Sequence, residues 1–467
     1  MNMKKTSYIL FFTFSFLFVN VVMAQDVRSN HSYRNLGFTQ LPVVSVGGYI
    51  DVNGAKSSQE DTYSDDMINN VSGYTAAGTL GTSSIKNRAT DDIVFAGEAS
   101  LLFKVNGVND YGFRYGAVME LNANSTYNSW NNDLNATKSY IYTESIVGKL
   151  EFGNELGASQ KMKVDAGTFA RGTGGINGKY LNYINLPSVV TGGTGFNNPL
   201  FILIPQHPTA HGGFGIGFNN SLYYCDYNGN GTIDTADEYS CYTETSDENF
   251  NFRLEEMQNA TKISYYTPEI FGFQAGVSYT PDTGNRGVGG RLSSKLDTGD
   301  IDEVIEYGLT YSNTFYGLGV SLSFTGEFGK SESKIITSTG KFESFREDLN
   351  STQYGINLSF FGLTVGGSIG NWNDSLYNKN TEKNSGDGKY TTLGLGYEFA
   401  GFNASLGYFD SEFQKNKYTA YSVSFDYKVA NGFMPYIEYT HFEFKPDNTA
   451  IKENKGSVIL AGFVLNF

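Results

Sequence analysis

Twelve residues near the middle of the chain carry oxygen-bearing side chains at the spacing of a metal-binding loop. Residues 226–237 read DYNGNGTIDTAD. Calcium takes six to eight oxygen ligands, and alternate positions of a tight loop can direct such oxygens to one point. The sequence therefore predicts a structural Ca²⁺ site. Its ligands would be the side chains of Asp226, Asn228, Asn230, Asp234 and Asp237 and the backbone carbonyl of Thr232.

The pattern is that of an EF-hand-type loop, with one departure. Gly231 occupies the sharp turn and Ile233 the apolar position that such loops have. The last ligand is Asp237, which is shorter than the usual Glu. Binding in the extracellular range of roughly 10⁻⁴ to 10⁻³ M is expected. The alternative is an Asn-Gly turn in a polar surface loop that binds no metal.

The two cysteines of the chain, Cys225 and Cys241, bracket this loop. In an oxidising compartment an even pair at short separation is expected to form a disulfide, and a pair of free thiols is the alternative. A disulfide here would fix the ends of the calcium loop and lower the ordering cost of metal binding.

Most of the chain consists of segments of about ten residues that alternate apolar and polar or small side chains. In residues 93–105, Phe95, Leu101 and Phe103 share one face, while Glu98 and Lys104 share the other. Such period-two alternation predicts strands with one apolar and one hydrated face. The sixteen predicted strands span residues 44–53, 93–105, 111–123, 137–144, 148–154, 259–267, 271–280, 303–313, 316–326, 351–361, 363–371, 389–399, 401–410, 417–429, 432–444 and 456–467.

The connections between these strands alternate in length. Tight turns are predicted at residues 146–148, 268–272, 313–317, 361–362, 400–401 and 430–432, and longer polar loops fall between them. An even number of amphipathic strands with short turns on one side indicates an antiparallel transmembrane β-barrel of the outer-membrane kind, an all-β fold in contact with lipid. The longest connection, residues 155–258, shows no sustained alternation, and such long segments are usually functional.

Both ends of the chain agree with export to an outer membrane. Residues 1–24 have a basic start, an apolar Phe-rich stretch and a small-residue cleavage site, as in a signal peptide, so residues 25–467 would form the barrel. The last strand places alternate residues in lipid and ends at Phe467.

Composition excludes several classes of protein. The formal net charge is −15, and removal of Lys4 and Lys5 with the signal peptide changes it to −17. This acidity argues against nucleic acid as a partner and is compatible with cations. Glycine (55 residues) and the aromatic residues Tyr and Phe (33 and 36) are abundant, as in barrels with aromatic girdles.

Two stretches resemble a known family. Residues 139–154 read SYIYTESIVGKLEFGN, with Gly157-Ala158 following, and residues 260–282 read ATKISYYTPEIFGFQAGVSYTPD. They resemble the strand pair before the third loop and the hairpin after it in Gram-negative trimeric porins of the branch common in alphaproteobacteria. The resemblance implies an outer-membrane location, a homotrimer, and a third loop that folds into the lumen. The constriction would then be the early part of that loop, residues 157–175.

The same family places an acidic inner loop opposite a basic patch of wall. By this resemblance Lys104, Arg114 and Lys149 are the wall candidates, and Glu155 and Asp165 are the loop candidates, although Lys161, Lys163 and Arg171 on the same loop weaken the match. From the alternation alone, hydrated-face acids outnumber hydrated-face bases, and this acid excess predicts a mild cation preference. The acids are Asp51, Glu98, Glu120, Glu151, Glu306, Glu398, Asp426 and Glu438, and the bases are Lys104, Arg114, Lys149, Lys262 and Lys428.

The sequence carries weak signals for an enzyme. His207 and His211 have a metal-ligand spacing, but Pro208 makes a helix unfavourable and no acid lies between them. We therefore expect a passive diffusion channel for small hydrophilic solutes and ions. One alternative is a substrate-selective porin whose long loop binds a nutrient through Phe169, Tyr180, Tyr183 and Phe196; the other is a plugged surface receptor or adhesin barrel.

Overall fold

A computed structural model of the protein describes residues 42–60, 73–74, 80–81, 93–109, 111–122, 136–184, 200–210, 260–283, 301–331, 334–336, 342–344, 347–375, 388–413, 415–447 and 453–467. The predicted signal peptide, the calcium loop, both cysteines, His211 and Phe196 lie outside these residues. Among the described helices, none combines the length and the apolar character needed to cross a membrane.

Sixteen of the described strands form one closed antiparallel barrel, which confirms the predicted fold class. Each strand pairs with its neighbours in chain order, and the first pairs with the last. The barrel strands are β1 (Val43–Gln59), β4 (Ile93–Val108), β5 (Arg114–Asn122), β6 (Ala136–Ser145), β7 (Gly148–Asn154), β8 (Thr261–Tyr266), β9 (Phe273–Asp282), β10 (Ile301–Phe315), β11 (Leu318–Ser331), β14 (Leu349–Phe360), β15 (Leu363–Asn373), β16 (Gly388–Phe399), β17 (Phe402–Phe413), β18 (Asn416–Tyr427), β19 (Phe433–Lys445) and β20 (Asn454–Asn466).

Four further strands among the described residues lie outside the barrel and form two small hairpins. These pair β2 (Gly73–Tyr74) with β3 (Leu80–Gly81) and β12 (Lys334–Ile336) with β13 (Phe342–Ser344). The helical elements all lie between β7 and β8. They are α1 (Ala158–Lys161) and the 3₁₀ turns Gly175–Asn177, Lys179–Tyr183, Leu200–Leu203 and Pro208–Ala210.

The tight turns lie where the alternation placed them, and their backbone shows why. At the turn between β14 and β15, Phe361 and Gly362 have φ angles of 46° and 83°. Two consecutive residues with positive φ form the hairpin turn whose twist matches that of the flanking strands. Glycine adopts this conformation without a steric penalty, which explains its place at the second position of four such turns, 271–272, 316–317, 361–362 and 400–401.

The outer face of the barrel is apolar, as the alternation predicts. In β20, Ile459, Phe463 and Leu465 are exposed on the outside, whereas Val458 and Leu460 point inward and are buried. Inward-facing apolar residues of this size differ from the hydrated inner face expected from sequence. They are buried because a long segment of chain packs against them inside the barrel.

Candidate functional site: the lumen and its third loop

The third loop enters the barrel and runs along the inner wall. Its described residues form an outgoing limb, 155–184, and a return limb, 200–210. The outgoing limb meets inward-facing side chains in strand order from β9 round to β1. The contacts include Ala158 N to Ser278 Oγ at 2.8 Å, Ser159 Oγ to Glu306 Oε2 at 2.6 Å, Val164 N to Ser323 Oγ at 2.9 Å, Asn403 Nδ2 to Phe169 O at 3.1 Å, Thr173 with Glu438 and Lys179 with Asp51.

Glycines on the inner wall allow the outgoing limb to lie directly against the strands. A Cβ atom at Gly308 would come within 2.8 Å of Met162, and one at Gly355 would overlap the carbonyl oxygen of Val164. Further along, a Cβ at Gly394 would lie 2.6 Å from the Ala166 Cβ. Real Cβ atoms do not approach other atoms so closely, so these positions require glycine for a packing reason.

The return limb crosses back over the same wall. Ser411 Oγ donates to Ile202 O at 2.5 Å, and Trp372 Nε1 donates to Gln206 O at 2.7 Å. Lys163 of the outgoing limb donates to Pro205 O at 2.5 Å, which joins the two limbs. These bonds satisfy backbone carbonyls that would otherwise be buried without partners.

His207 anchors the return limb through both nitrogens of its ring. Nδ1 lies 2.7 Å from Ser351 Oγ and Nε2 lies 2.8 Å from Thr325 Oγ1, and the side chain is buried. Burial, reinforced by the positive charge of Lys163, lowers the pKa of His207 to about 3. The ring is therefore neutral at physiological pH, with one nitrogen donating and the other accepting.

A hydrophobic cluster fills the space between the limbs and the wall. Tyr180 and Ile202 of the loop pack with Trp372, Phe409 and Tyr418 of the strands. The two tyrosines also share a hydrogen bond at 2.9 Å between their hydroxyl oxygens. The alternation of apolar and polar residues did not predict this cluster, although a signal was present: at their loop-side ends, β17 to β19 carry large aromatic residues on the inward face, namely Phe409, Phe413, Tyr418, Phe442 and Phe444.

Asp51 of β1 and Lys179 of the loop form the ion pair at the far end of the outgoing limb. The Asp51 carboxylate is completely buried and also accepts from Tyr436 at 2.6 Å and from Asn53 at 3.1 Å. Without its cation, this carboxylate would remain buried with two neutral donors.

Replacing Lys179 with Met should therefore destabilise the barrel by about 3–5 kcal/mol, because one partner of a buried ion pair is left uncompensated. The measurement is urea unfolding followed by the shift in gel mobility between folded and heat-unfolded protein. Adding Asp51→Asn should recover part of the loss, and Lys455→Met, in an exposed pair with Glu60, should change little. Equal stability of K179M and the double variant would contradict the argument.

The wall formed by β4 to β7, here called the open wall, keeps more accessible surface than the wall against which the third loop packs, here called the covered wall. Inward positions of β14, β18 and β20 are largely buried, whereas most inward positions of β4, β5 and β6 keep accessible surface. The open wall carries the predicted residues Lys104, Arg114, Lys149, Glu98 and Glu120. The lumen is therefore asymmetric, with the third loop on one side and this wall on the other.

The predicted wall residues form ion pairs and ring contacts with neighbouring side chains of the same wall. Arg114 lies 3.6 Å from Glu144, and Glu120 lies 3.0 Å from Lys138. The sequence pattern did not predict Glu144 or Lys138 as residues of the site. The Nζ atoms of Lys104 and Lys149 lie 5.9 and 5.1 Å from the centre of the Tyr142 ring. Glu98 lies opposite Asp51 in the register of β1 and β4.

The loop acids Glu155 and Asp165 are expected from the resemblance to face the basic wall across the lumen, but the structure buries both side chains. Glu155 and Asp165 are only 6% and 4% exposed. Asp165 pairs with Lys163 at 2.7 Å and accepts from Gly167 N at 2.9 Å, and Glu155 accepts from Leu156 N at 2.7 Å. Both carboxylates therefore hold the loop in shape from beneath its surface.

Within the described ranges, no group of three or more His, Cys, Asp or Glu side chains is arranged to hold a metal ion. The predicted calcium ligands lie outside those ranges and stay a prediction.

The protein is similar in sequence to rickettsial proteins of uncharacterised function and similar in fold to solved porin structures. It is 28% identical to a Rickettsia bellii protein over 369 residues, or 70% of this chain and 76% of the relative, and 25% identical to Rickettsia conorii protein RC0098 over 381 residues, or 71% and 76%.

Solved structures with a similar fold include an anion-selective porin from Comamonas acidovorans, with a TM-score of 0.49 and 16% identity, and a triple mutant of the Rhodopseudomonas blastica porin, with a TM-score of 0.48 and 12% identity. Each alignment covers 91% of this chain and the whole of the other. A sequence model described as Gram-negative porin matches residues 20–448. The chain belongs to the Gram-negative porin family, whose members are non-enzymatic barrels of the bacterial outer membrane.

Proposed function

We propose that the protein is a passive diffusion channel for small hydrophilic solutes and ions, in which the path runs between the third loop and the open wall. The observation that carries the proposal is the difference in burial between the two sides of the lumen. Inward side chains beneath the loop are closed off, while those of β4 to β6 remain accessible.

The aromatic residues that favoured a substrate-selective porin give this alternative less support. Tyr180, Tyr183 and Phe169 are 0%, 5% and 6% exposed and belong to the packing between loop and wall. Buried rings cannot stack on a passing solute. A plugged receptor barrel would be favoured only by a folded protein that passes no current.

The path can be tested by thiol labelling during single-channel recording in planar bilayers. Lys149→Cys should react with a bulky water-soluble thiol reagent and lose conductance, because the Lys149 side chain is 37% exposed on the open wall. The matched control is Thr392→Cys, an inward position of β16 that is completely buried beneath the loop; it should neither react nor change. A folded barrel without current, or equal labelling of both variants, would contradict the proposed path.

Three further features remain proposals. A homotrimer is supported by the family, and cross-linking of the detergent-solubilised protein would test it. The disulfide between Cys225 and Cys241 is supported by their spacing, and mass mapping of peptides without reduction would test it. The Ca²⁺ site at residues 226–237 is supported by ligand spacing alone; an unchanged melting temperature and loop proteolysis with a chelator would count against a structural role.

A further inference from the structure

The ion pairs of the open wall are layered, with the base nearer the lumen. In each pair the carboxylate is the more buried partner, although the sequence suggested that acids dominate the hydrated face. The Arg114 side chain is 64% exposed and that of its partner Glu144 41%, and the values for Lys138 and Glu120 are 34% and 19%. Glu151 is 4% exposed and pairs with two bases, Lys149 at 37% and Lys161 at 23%.

The same order recurs beneath the third loop. Lys163 covers Asp165, Arg171 covers Asp426 and Lys179 covers Asp51, and each carboxylate is at most 2% exposed. Two pairs do not follow this order: Arg171 with Glu398, where the acid is the more exposed partner, and Lys262 with Glu306, whose side chains are 2% and 3% exposed. Several acids that predicted a mild cation preference are thus screened by a base before a solute reaches them.

Bases that keep accessible side-chain surface lie along the open wall and on the loop beside it, and are here called the basic strip: Lys104, Arg114, Lys138 and Lys149 of the strands and Lys161 of the loop. The Tyr142 ring holds two of them, since the ammonium groups of Lys104 and Lys149 both lie against it, and its hydroxyl donates to Asn106. Lys161 reaches the strip from the loop and lies 5.2 Å from the centre of the Tyr140 ring. Fixed rings keep the ammonium groups close together despite their mutual repulsion.

An anion in the lumen would meet these ammonium and guanidinium groups at hydrogen-bond distance, while the paired carboxylates lie one layer deeper. Coulomb energy falls with distance and with solvent screening, so the nearer layer sets the sign of the attraction. Oxygen-rich anions are matched best, because several acceptor oxygens can bind several donors at once.

We propose that the basic strip binds small multivalent oxyanions, such as inorganic phosphate or a tricarboxylate, and gives the channel an anion preference opposite to the one that the acid excess predicts. This inference rests on the proposed channel, whose substrate class it names. The acids remain part of the site, because they hold the bases in position.

The test compares the wild type with the double variant Lys104→Gln, Lys149→Gln and with the control Lys445→Gln, whose side chain lies on β19 at the outer surface. Under a KCl gradient the wild type and the control should show a chloride-favouring reversal potential. Phosphate or citrate added to the bath should reduce their current in a saturable manner. Losing two charged donors should weaken this block roughly tenfold or more.

A cation-favouring wild type, or equal block in the double variant, would overturn the inference while leaving the channel established. Calorimetric titration of the detergent-solubilised protein with citrate provides a readout that needs no current. Binding that is lost in the double variant supports the strip even if the barrel is electrically silent, in which case only the proposed channel fails. Absence of binding to the wild type overturns the strip on its own.

Discussion

Gly355→Ala is expected to push the third loop away from the wall into the lumen and narrow the channel, although it adds a single methyl group. The new Cβ would overlap the Val164 carbonyl oxygen, which accepts a 2.8 Å hydrogen bond from Gln353. Backbone cannot move aside as the tip of a side chain can, so the outgoing limb must shift. Overpacking of this kind costs about 1–3 kcal/mol, and here it weakens the packing of the loop against the wall. Because the displaced loop takes up part of the path along the open wall, single-channel conductance and the size limit for sugars in liposome swelling should both fall.

Gly396→Ala is the matched control for this prediction. Gly396 also faces the loop from the inner wall, but a Cβ there would lie 3.6 Å from the Phe169 Cβ, an ordinary van der Waals distance. This variant should conduct as the wild type does. Unchanged conductance in G355A, with a folded barrel, would show that the docked loop does not limit the path.

Acidification is expected to detach the return limb through His207. The ring is neutral and buried when docked, with a pKa of about 3, and would regain its ordinary value of 6.5 once exposed. A group whose pKa is lowered in the docked state stabilises docking fully above about pH 6.5, and this contribution is lost as the pH falls from 6.5 towards 3. Each pH unit within that window costs up to about 1.4 kcal/mol.

Hydrogen exchange of residues 200–210, corrected for the intrinsic pH dependence of exchange, measures this loss. Protection should fall between pH 7 and pH 4, while amides of β20 stay protected. His207→Gln can keep hydrogen bonds to Ser351 and Thr325 without gaining a proton, so its protection should depend less on pH. The other titratable groups nearby are the same in both proteins: Lys163, and Glu327, whose carboxyl group accepts from Thr209 N of the return limb at 3.0 Å. Identical pH profiles for the two proteins would remove His207 as the cause.

The barrel could be predicted from sequence because the alternation of apolar and polar residues is visible within each strand separately. Inward and outward residues of β20, for example, follow from period two, and the turn glycines follow from the positive φ that a two-residue hairpin requires. These are local properties, and sixteen such segments in antiparallel order close without further information.

The surroundings of the inward residues could not be predicted in the same way. Alternation places Asp51, Asp426 and Glu438 on the inner face, but it does not say whether water or another segment lies against them. That depends on the third loop, which has no periodicity and meets partners more than one hundred residues away, as Ser159 meets Glu306. Inward glycines and inward aromatic residues were the available signs that the wall is covered.

The barrel closes where its first strand, β1, pairs with its last strand, β20. Gly48 N donates to Phe467 O at 3.0 Å, Phe467 N donates to Gly48 O at 3.1 Å, and Tyr49 lies in register with Asn466. β1 is made and exported before the other barrel strands, yet its second neighbour, β20, emerges after all of them, so vectorial folding cannot complete the ring earlier. Until then β1 presents an unpaired edge, which is a template for aggregation. The chain must therefore be kept apart from other copies until β20 has paired with β1.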